Sequence, residues 1–441
     1  MTLRMLHIAD LHIGQVLRYQ SRSAEHQFML NWVVEQIEQH KIDVLLIAGD
    51  IFDAPNPKPE AQALFYQFLA RASQCESIRS IVIIAGNHDS AKRMCAIYAP
   101  LNLLNVHILG AVQNHSDAWD QWLIPIHDSE GEVVATVAGV PFIHEFMLNF
   151  PRNLTRTQRS KRLKSALKDL YSHFVELSEQ RYGTVPVVGM GHLSAMSDDA
   201  TMGYMPKEVH TVLENALDGE VFDERYRYVA LGHIHKSYRV RGNSNVWYSG
   251  SPLACSIDEA EDGTERGAFL IELDPAIPHP QPQKLVMPMQ RRLLRYRGTK
   301  EELISALMAL PETLEHPHFL WLELTENHQY IDLYKELKQL LDGHYPQKTP
   351  VIIHLNELGV SDDEEMTVDL EFVARYTQGG NPSLAKLFRS YIQICGVDDS
   401  EGELLSRLEY AARETEGVLQ HEESEIDSIE QTLSASEGVS S

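Results

Sequence analysis

The sequence predicts an α/β fold in which two sheets pack as a sandwich flanked by helices, followed by a small α/β capping domain and a C-terminal helical segment. Three observations carry this expectation. Short apolar runs alternate with helix-period segments from residue 3 to about 180, and further strand-like runs fill residues 226–273. A Pro-rich stretch at residues 275–282 then separates both from a shorter alternation of strands and helices.

Taken in order, residues 6–9, 44–48, 81–85, 185–190 and 226–231 are mostly apolar and of strand length, the pattern of strands covered on both faces. Helices are expected near residues 23–40 and 58–75. Residues 226–273 read as a second sheet packed on the first, with turns at Arg241-Gly242-Asn243 and Glu261-Asp262-Gly263. Past the connector come a strand near residues 292–297 and a helix opened by Thr299 and Glu302 in capping-box spacing. A strand at residues 319–324, a helix near 328–341 and a strand at 351–355 complete this small domain. Leu384, Leu387, Phe388, Tyr391, Ile392 and Cys395 then repeat at helical spacing, as do Leu404, Leu405, Leu408, Ala411 and Ala412. Two such short amphipathic helices must pack on the capping domain or lie in a groove of another protein. The expected division is therefore 1–274 for the sandwich, 275–282 for the linker, 283–360 for the capping domain and 361–419 for the helical segment. Residues 420–441, rich in Glu and Ser, have the composition of a disordered tail.

Each early strand runs into residues that can hold a metal: Asp10-Leu11-His12, Gly49-Asp50-Ile51-Phe52-Asp53, Gly86-Asn87-His88-Asp89, Gly191-His192 and Gly232-His233-Ile234-His235. Strand ends of an α/β sheet are where loops gather distant side chains into one crevice. A lone Asp after a strand is more often a helix N-cap, and a lone His a turn or core residue. Several such segments with compatible donors favour a metal site instead. The donors are carboxylate, imidazole and carboxamide, and the absence of cysteine from these segments disfavours a thiolate zinc site. Mn²⁺ leads, with Fe²⁺, Mg²⁺ and Zn²⁺ as alternatives. Asp10, His12, Asp50, Asn87, His192, His233 and His235 suffice for two ions if one carboxylate is shared, and the central Asp50 is the natural bridge. Paired cations, roughly 3.5–4 Å apart, activate a water and stabilise the attacking and leaving oxygens at phosphorus. Phosphoester hydrolysis is the expected reaction. His7, His26, His107, His144 and His210 lack this setting and are expected to be structural. Cys75, Cys95, Cys255 and Cys395 show no metal or redox spacing and are expected to be idle thiols.

In this order the segments resemble the calcineurin-like metallophosphoesterase superfamily. Leu6-His7-Ile8-Ala9-Asp10-Leu11-His12-Ile13-Gly14, Ser21-Arg22-Ser23-Ala24-Glu25-His26-Gln27, Ala48-Gly49-Asp50-Ile51-Phe52-Asp53 and Tyr248-Ser249-Gly250-Ser251-Pro252 are similar to the SbcD group of DNA-repair nucleases. The resemblance runs from residue 3 to about 255. It implies one metal on Asp10, His12, Asp50 and His235, and the other on Asp50, Asn87, His192 and His233. It further implies that His88 protonates the leaving sugar oxygen or supports the pentacoordinate phosphorus, with Asp53 orienting the site. A proton on His88 beside two cations needs an offsetting acid, Asp53 or Asp89. The implied activity is Mn²⁺-dependent, with a metal-bridging hydroxide as nucleophile: 3′-to-5′ exonuclease on duplex ends and endonuclease on single strands or hairpins. The implied partners are DNA and an SbcC-like ABC-type ATPase whose coiled-coil root receives the C-terminal helices, with the chain a homodimer within a heterotetramer. Leu11 and Ala9 depart from the group's common Trp and hydroxyl residue, and neither supplies a ligand.

A formal charge of -25 over 441 residues argues against non-specific nucleic-acid binding by the chain as a whole. Much of the acidity is remote from the metal segments, in Asp362, Asp363, Glu364 and Glu365 and in the tail from residue 398. Conversely, Arg152, Arg156, Arg159, Lys161, Arg162 and Lys164 form a stretch without an intervening acid, suited to a phosphate backbone or to a solvated helix face opposite Leu163, Ala166, Leu167, Leu170, Phe174 and Leu177. Arg291, Arg292, Arg295 and Arg297 could meet DNA or pair with acids. No apolar run approaches a membrane span, the first apolar segment is already a strand, and cysteine usage suits the cytoplasm. Two rival classes are a small-molecule phosphodiesterase or protein phosphatase, and a non-catalytic scaffold. Protein phosphatases of this type carry Gly-Asn-His-Glu and an Arg-Gly after the second aspartate segment, where this chain has Asp89 and Ala54-Pro55. A scaffold would have lost ligands, and all are kept.

Overall fold

The computed structural model describes residues 2–357 except 19, 97–100, 111–115, 144–146, 148–150, 152, 196–216 and 326–329. In chain order the first elements are β1 (Leu3–Ile8), the short β2 (Val16–Leu17) and β3 (Gln20–Ser21), α1 (Ser23–His40), β4 (Val44–Ala48), α2 (Pro59–Ala72), β5 (Ser80–Ile84), α3 (Ala91–Ala96) and β6 (Val106–Leu109). Then come β7 (Leu123–His127), β8 (Val133–Val140), α4 (Arg156–Tyr182), β9 (Val187–His192), β10 (Tyr226–Gly232), β11 (Tyr238–Arg239) and β12 (Val246–Tyr248). The rest are α5 (Ile257–Glu261), β13 (Gly267–Leu273), β14 (Gln283–Val286), β15 (Leu293–Gly298), α6 (Lys300–Met308), β16 (Phe319–Leu324), α7 (Tyr330–His344) and β17 (Val351–Glu357).

β4 and β5 show why a sandwich forms. Every residue of both strands is buried, and successive side chains point to opposite faces. Leu46, Ala48, Val82 and Ile84 enter the core between the sheets, whereas Leu45, Ile47, Ile81 and Ile83 pack in the core that also takes residues of α1 and α2. Each Val, Leu or Ile among them contributes about 1.5–3 kcal/mol by leaving water, and the one polar residue of the two strands is the small Ser80 at the start of β5. The first sheet has the order β14-β13-β1-β4-β5-β6 and the second β11-β12-β10-β9-β8-β7. β1, β4, β5 and β6 are parallel, as are β8, β9, β10 and β12, so their C-terminal ends open on the same loops.

One expectation needs correction. Residues 226–273 do not form a single second sheet: β10, β11 and β12 lie there, but β13 returns to the first sheet antiparallel to β1, with Leu3 opposite Leu273. Its alternation explains the return, since Phe269, Ile271 and Leu273 enter the inter-sheet core while Ala268 and Leu270 face the helix side. β14, on the far side of the Pro-rich stretch, also pairs with β13.

A separate three-stranded sheet, β15-β16-β17, has its own core of Leu303, Leu307, Leu320, Leu322, Leu324, Leu333, Leu337 and Leu341. Leu333, Leu337 and Leu341 recur every fourth residue and so form the apolar stripe of α7. α6 starts at the expected capping box, with Thr299 and Glu302 side chains each accepting the other's backbone N–H. The arginines before and within β15 meet acids of the sandwich and of their own sheet. Arg291 lies 3.3 Å from Glu25 of α1 and stacks on Phe319 at 3.8 Å, and Arg295 bonds Asp258 of α5 at 2.5 Å. Arg297 pairs with Glu323. Among the described residues no helix is long and apolar enough to cross a membrane. The amphipathic segments at residues 384–412, Cys395, His144, His210 and the acidic tail lie outside the described residues.

Candidate metal centre

The loops after β1 and β4 are laced together before any ligand is considered. Asp10 N donates to Gly49 O at 3.0 Å, His12 N to Asp50 O at 3.1 Å and Ile13 N to Ile51 O at 2.9 Å. To make these turns Asp10, His12 and Asp50 take φ of 54°, 43° and 49°, in the left-handed region, and His233 takes 98°. Such backbone persists only where the surroundings over-determine it, and it clusters at working sites. Two of the flanking glycines are required by close approach. A Cβ on Gly49 would fall 2.1 Å from His192 Nδ1, and one on Gly86 2.1 Å from Asp50 Oδ1. The buried Asp89 carboxylate then ties the second and third loops, accepting the N–H groups of Gly86, Ile51 and Phe52 at 2.8, 3.1 and 3.0 Å. It is a backbone staple, so of the two offsetting acids expected for His88 it is not the partner.

On this frame the expected ligands come together. Asp50 Oδ2 lies 3.3 Å from His192 Nε2 and 3.8 Å from His12 Nε2, between two groups of donors. On one side Asn87 Oδ1 lies 3.0 Å from His192 Nε2 and 2.9 Å from His233 Nδ1. On the other, His12 Nε2 and His235 Nε2 are 3.1 Å apart, and Asp10, His12 and Asp50 offer atoms within 4.8 Å of one another. His192 must donate its Nδ1–H to Ala48 O at 2.8 Å, which turns the Nε2 lone pair toward Asp50 and Asn87. Asp10 uses Oδ1 to accept the His233 N–H at 2.8 Å, while Oδ2 is buried with no partner. Lone pairs that converge around an orphaned carboxylate oxygen fit a cation on each side of Asp50.

The carboxylates and neighbouring groups draw protons onto His12, His192 and His235, which a bound cation would displace. Burial alone would raise the Asp50 carboxyl, but His192, His12 and the His88 N–H more than offset it, so Asp50 is held below the usual carboxylate range. Burial would discharge His192, yet Asp50 and Asp10 draw a proton onto it and lift it to about 9. His233, buried beside His192, falls to about 3. Burial and the neighbouring Asp50 raise Asp10 and Asp89.

His88 stands at the edge of this cluster, its ring 5.0 Å from that of His12 and roughly perpendicular to it. Its Nδ1 lies 2.9 Å from the backbone carbonyl of Asp53, so Nε2 is the atom left to act. The Asp53 carboxylate instead approaches His12 Nδ1 at 3.4 Å. Asp53 therefore orients His88 through its main chain and His12 through its side chain. Glu259 went unnoticed in the sequence: it is 8 % exposed, and its Oε1 lies 2.9 Å from His235 Nδ1. Its only sequence signal, Ser256 three residues earlier, is also that of a plain helix N-cap, which Ser256 indeed is. Cys255 was expected to be idle, yet its sulfur groups with donor atoms of His12 and His235 within 4.8 Å.

His7 and His26 belong to neither donor group. His7 is fully buried between Tyr228 OH and Leu231 O, and burial lowers it to about 3, as it does His26. The basic stretch is partly spent on acids: Lys164 bonds Asp218 at 2.8 Å and lies 3.5 Å from Glu220, whereas Lys161 and Arg162 are exposed. Arg152 lies outside the described residues.

A two-sheet α/β sandwich with this donor set at its strand ends is a metal-dependent phosphoesterase. The chain belongs to the calcineurin-like phosphoesterase family, whose model matches residues 3–237, and that family implies a dimetal centre. It is 33% identical over 348 residues to the SbcD component of the SbcCD nuclease of Rhodobacter capsulatus, covering 77% of this chain and 85% of that protein. The SbcD component of the Escherichia coli K12 nuclease is 25% identical over 345 residues, covering 77% of this chain and 82% of that one. The DNA double-strand break repair protein Mre11 of Methanopyrus kandleri is 27% identical over 281 residues, covering 62% of this chain and 54% of that one. The resemblance drawn from the N-terminal segments is thereby borne out.

Proposed function

We propose that this chain is the nuclease component of a repair complex, a Mn²⁺-dependent 3′-to-5′ exonuclease on duplex DNA ends and an endonuclease on single-stranded or hairpin DNA, acting with an SbcC-like ABC-type ATPase. The observation that carries the reading is the position of Asp50 Oδ2 between the His12 and His192 nitrogens, within a chain related to SbcD proteins over most of its length. Asp10, His12, Asp50 and His235 would hold one ion and Asp50, Asn87, His192 and His233 the other. Two divalent cations would supply an activated water and charge to neutralise the phosphate oxygens.

The chain's own part is positioning and proton transfer. The rigid loop lacing keeps both donor groups preorganised, so little reorganisation accompanies phosphate arrival. His88, anchored at Nδ1 by the Asp53 carbonyl, would present an Nε2 proton to the leaving sugar oxygen. The unit around β15–β17 would cap the site and select DNA shape, and residues 361–419 would dock on the ATPase. A homodimer within a heterotetramer and a cytoplasmic location complete the reading.

The test is to incubate the purified chain with Mn²⁺ and end-labelled hairpin and duplex DNA, alone and with its candidate ATPase, beside a small phosphodiester. Metal-dependent cleavage of DNA is expected. Turnover of the small ester only would replace this reading with a small-molecule phosphodiesterase, and no turnover of either with a scaffold.

A further inference from the structure

The donor set on the Asp10 side of the centre is not purely nitrogen and oxygen. His12, His235 and Cys255 each offer an atom within 4.8 Å of the others, and His12 also belongs to the group formed with Asp10 and Asp50. The sulfur is therefore near His12 and His235, whose Nε2 atoms are 3.1 Å apart, and His12 is in turn grouped with Asp10, whose buried Oδ2 has no partner.

Its placement is held from several directions. Glu259 grips both donors at once, Oε1 at 2.9 Å from His235 Nδ1 and Oε2 accepting the Cys255 backbone N–H at 2.9 Å. Gln15 donates to the Cys255 carbonyl at 3.1 Å, and Arg22 to the preceding Ala254 carbonyl at 2.5 Å. Ser251 Oγ reaches back to the Asp10 carbonyl at 2.9 Å. The sulfur makes long contacts of 3.7 Å to Ser251 Oγ and Leu253 O, and its other neighbour is the His235 ring. These are weak bonds for a group so closely fixed, since thiols are poor donors and acceptors.

We propose that Cys255 is a sulfur donor to the cation on the His12–His235 side, making the two metal positions chemically unlike. Thiolate favours Zn²⁺ and Fe²⁺ over Mn²⁺ and Mg²⁺, whereas the Asn87, His192 and His233 side remains hard-to-borderline and suits Mn²⁺. The inference rests on the dimetal reading above and deepens it, because it assigns different ions to the two positions. On binding, the thiol proton leaves to solvent and the sulfur lone pair goes to the ion.

Co²⁺ is the probe. The full chain, stripped by chelation and reloaded with Co²⁺, is expected to show a near-ultraviolet thiolate-to-cobalt charge-transfer band beside the visible d–d bands. Cys255→Ser and Cys255→Ala are expected to keep the d–d bands, lose the charge-transfer band and lose at least tenfold of their preference for Zn²⁺ over Mn²⁺ in competition. In the wild-type chain, where folding of a variant plays no part, Zn²⁺ is expected to slow iodoacetamide labelling of Cys255 at least tenfold by peptide mapping. A wild type that holds Co²⁺ without the band, a band that survives in either variant, or labelling indifferent to Zn²⁺ overturns the proposal and leaves the dimetal reading standing. Failure of the wild type to bind either Co²⁺ or Mn²⁺ overturns both.

Discussion

The Glu259 carboxylate lies 2.9 Å from Nδ1 of His235 and thereby turns the other ring nitrogen of that histidine toward His12. His235 and Arg266 keep Glu259 ionised against the cost of burial, so Nδ1 is the donor and Nε2 the nitrogen turned to the site, whose proton an incoming cation would displace. Partners of this kind fix the tautomer of a ligating imidazole and strengthen its donation. Glu259→Ala is therefore expected to weaken divalent-ion binding roughly 10- to 100-fold with the fold retained. Calorimetric titration with Mn²⁺ and Zn²⁺ checks this, and wild-type affinity in the variant would leave Glu259 a helix-end residue only.

Why was Glu259 hidden when Asp50 was plain? The difference is the local frame. Asp50 follows an apolar run whose every residue is buried, so its place at a strand end could be read from residues 44–48 alone. Glu259 sits in the first turn of a five-residue helix, where an acid is expected for capping whether or not a histidine lies beyond it. The return of β13 to the first sheet was hidden for a similar reason, since alternation marks which face is buried but not which sheet receives it. Charge was legible as composition and not as pairing. Arg295 and Lys164 could have met phosphate, and only the fold brings Asp258 and Asp218 to them.

Gly86 tests whether the lacing of the loops matters. A Cβ there would stand 2.1 Å from Asp50 Oδ1 and 2.3 Å from Asp50 N, and backbone cannot step aside as a flexible side-chain end can. Gly86→Ala is expected to displace Asp50 and lose metal and activity together, matching Asp50→Asn. Metal content by elemental analysis is the check, and a full complement of ions in Gly86→Ala would show that the loops have more slack than the contacts allow.

His88 and Asp53 separate main-chain from side-chain roles. Truncating His88 removes the proposed acid and no proposed ligand, so His88→Ala is expected to keep its metal and slow hydrolysis by about 10²–10⁴-fold. Asp53→Ala leaves the carbonyl that anchors His88 Nδ1 and removes only the carboxylate near His12. It is expected to retain more turnover than His88→Ala and to bind metal more weakly. Single-turnover rates at saturating Mn²⁺ distinguish the two, and equal losses in turnover with equal metal affinity would make Asp53 the partner of His88 through its side chain.

His7 provides a pH signature away from the metal ligands. It is fully buried, with Tyr228 OH donating to Nδ1 at 2.9 Å and Nε2–H donating to Leu231 O at 3.1 Å, so the neutral ring is satisfied and a charged one would leave Tyr228 without an acceptor. Burial, aided by Lys284 and opposed by the Leu231 carbonyl, lowers its pKa to about 3 from the ordinary 6.5. The folded-state value is depressed, so the contribution to stability is full above about 6.5 and is lost as pH falls toward 3, where the unfolded chain takes up a proton that the folded chain refuses. The slope is about 1.4 kcal/mol per pH unit for one such group, or about 2 kcal/mol between pH 7 and 5. Urea denaturation of the chelated chain at both pH values is expected to show this loss in the wild type reduced by that amount in His7→Gln. The variant is less stable at either pH because Tyr228 and Leu231 are imperfectly satisfied, but it is the difference between the two pH values that carries the test. A wild type and variant with the same pH dependence would mean that His7 is protonated in the folded chain.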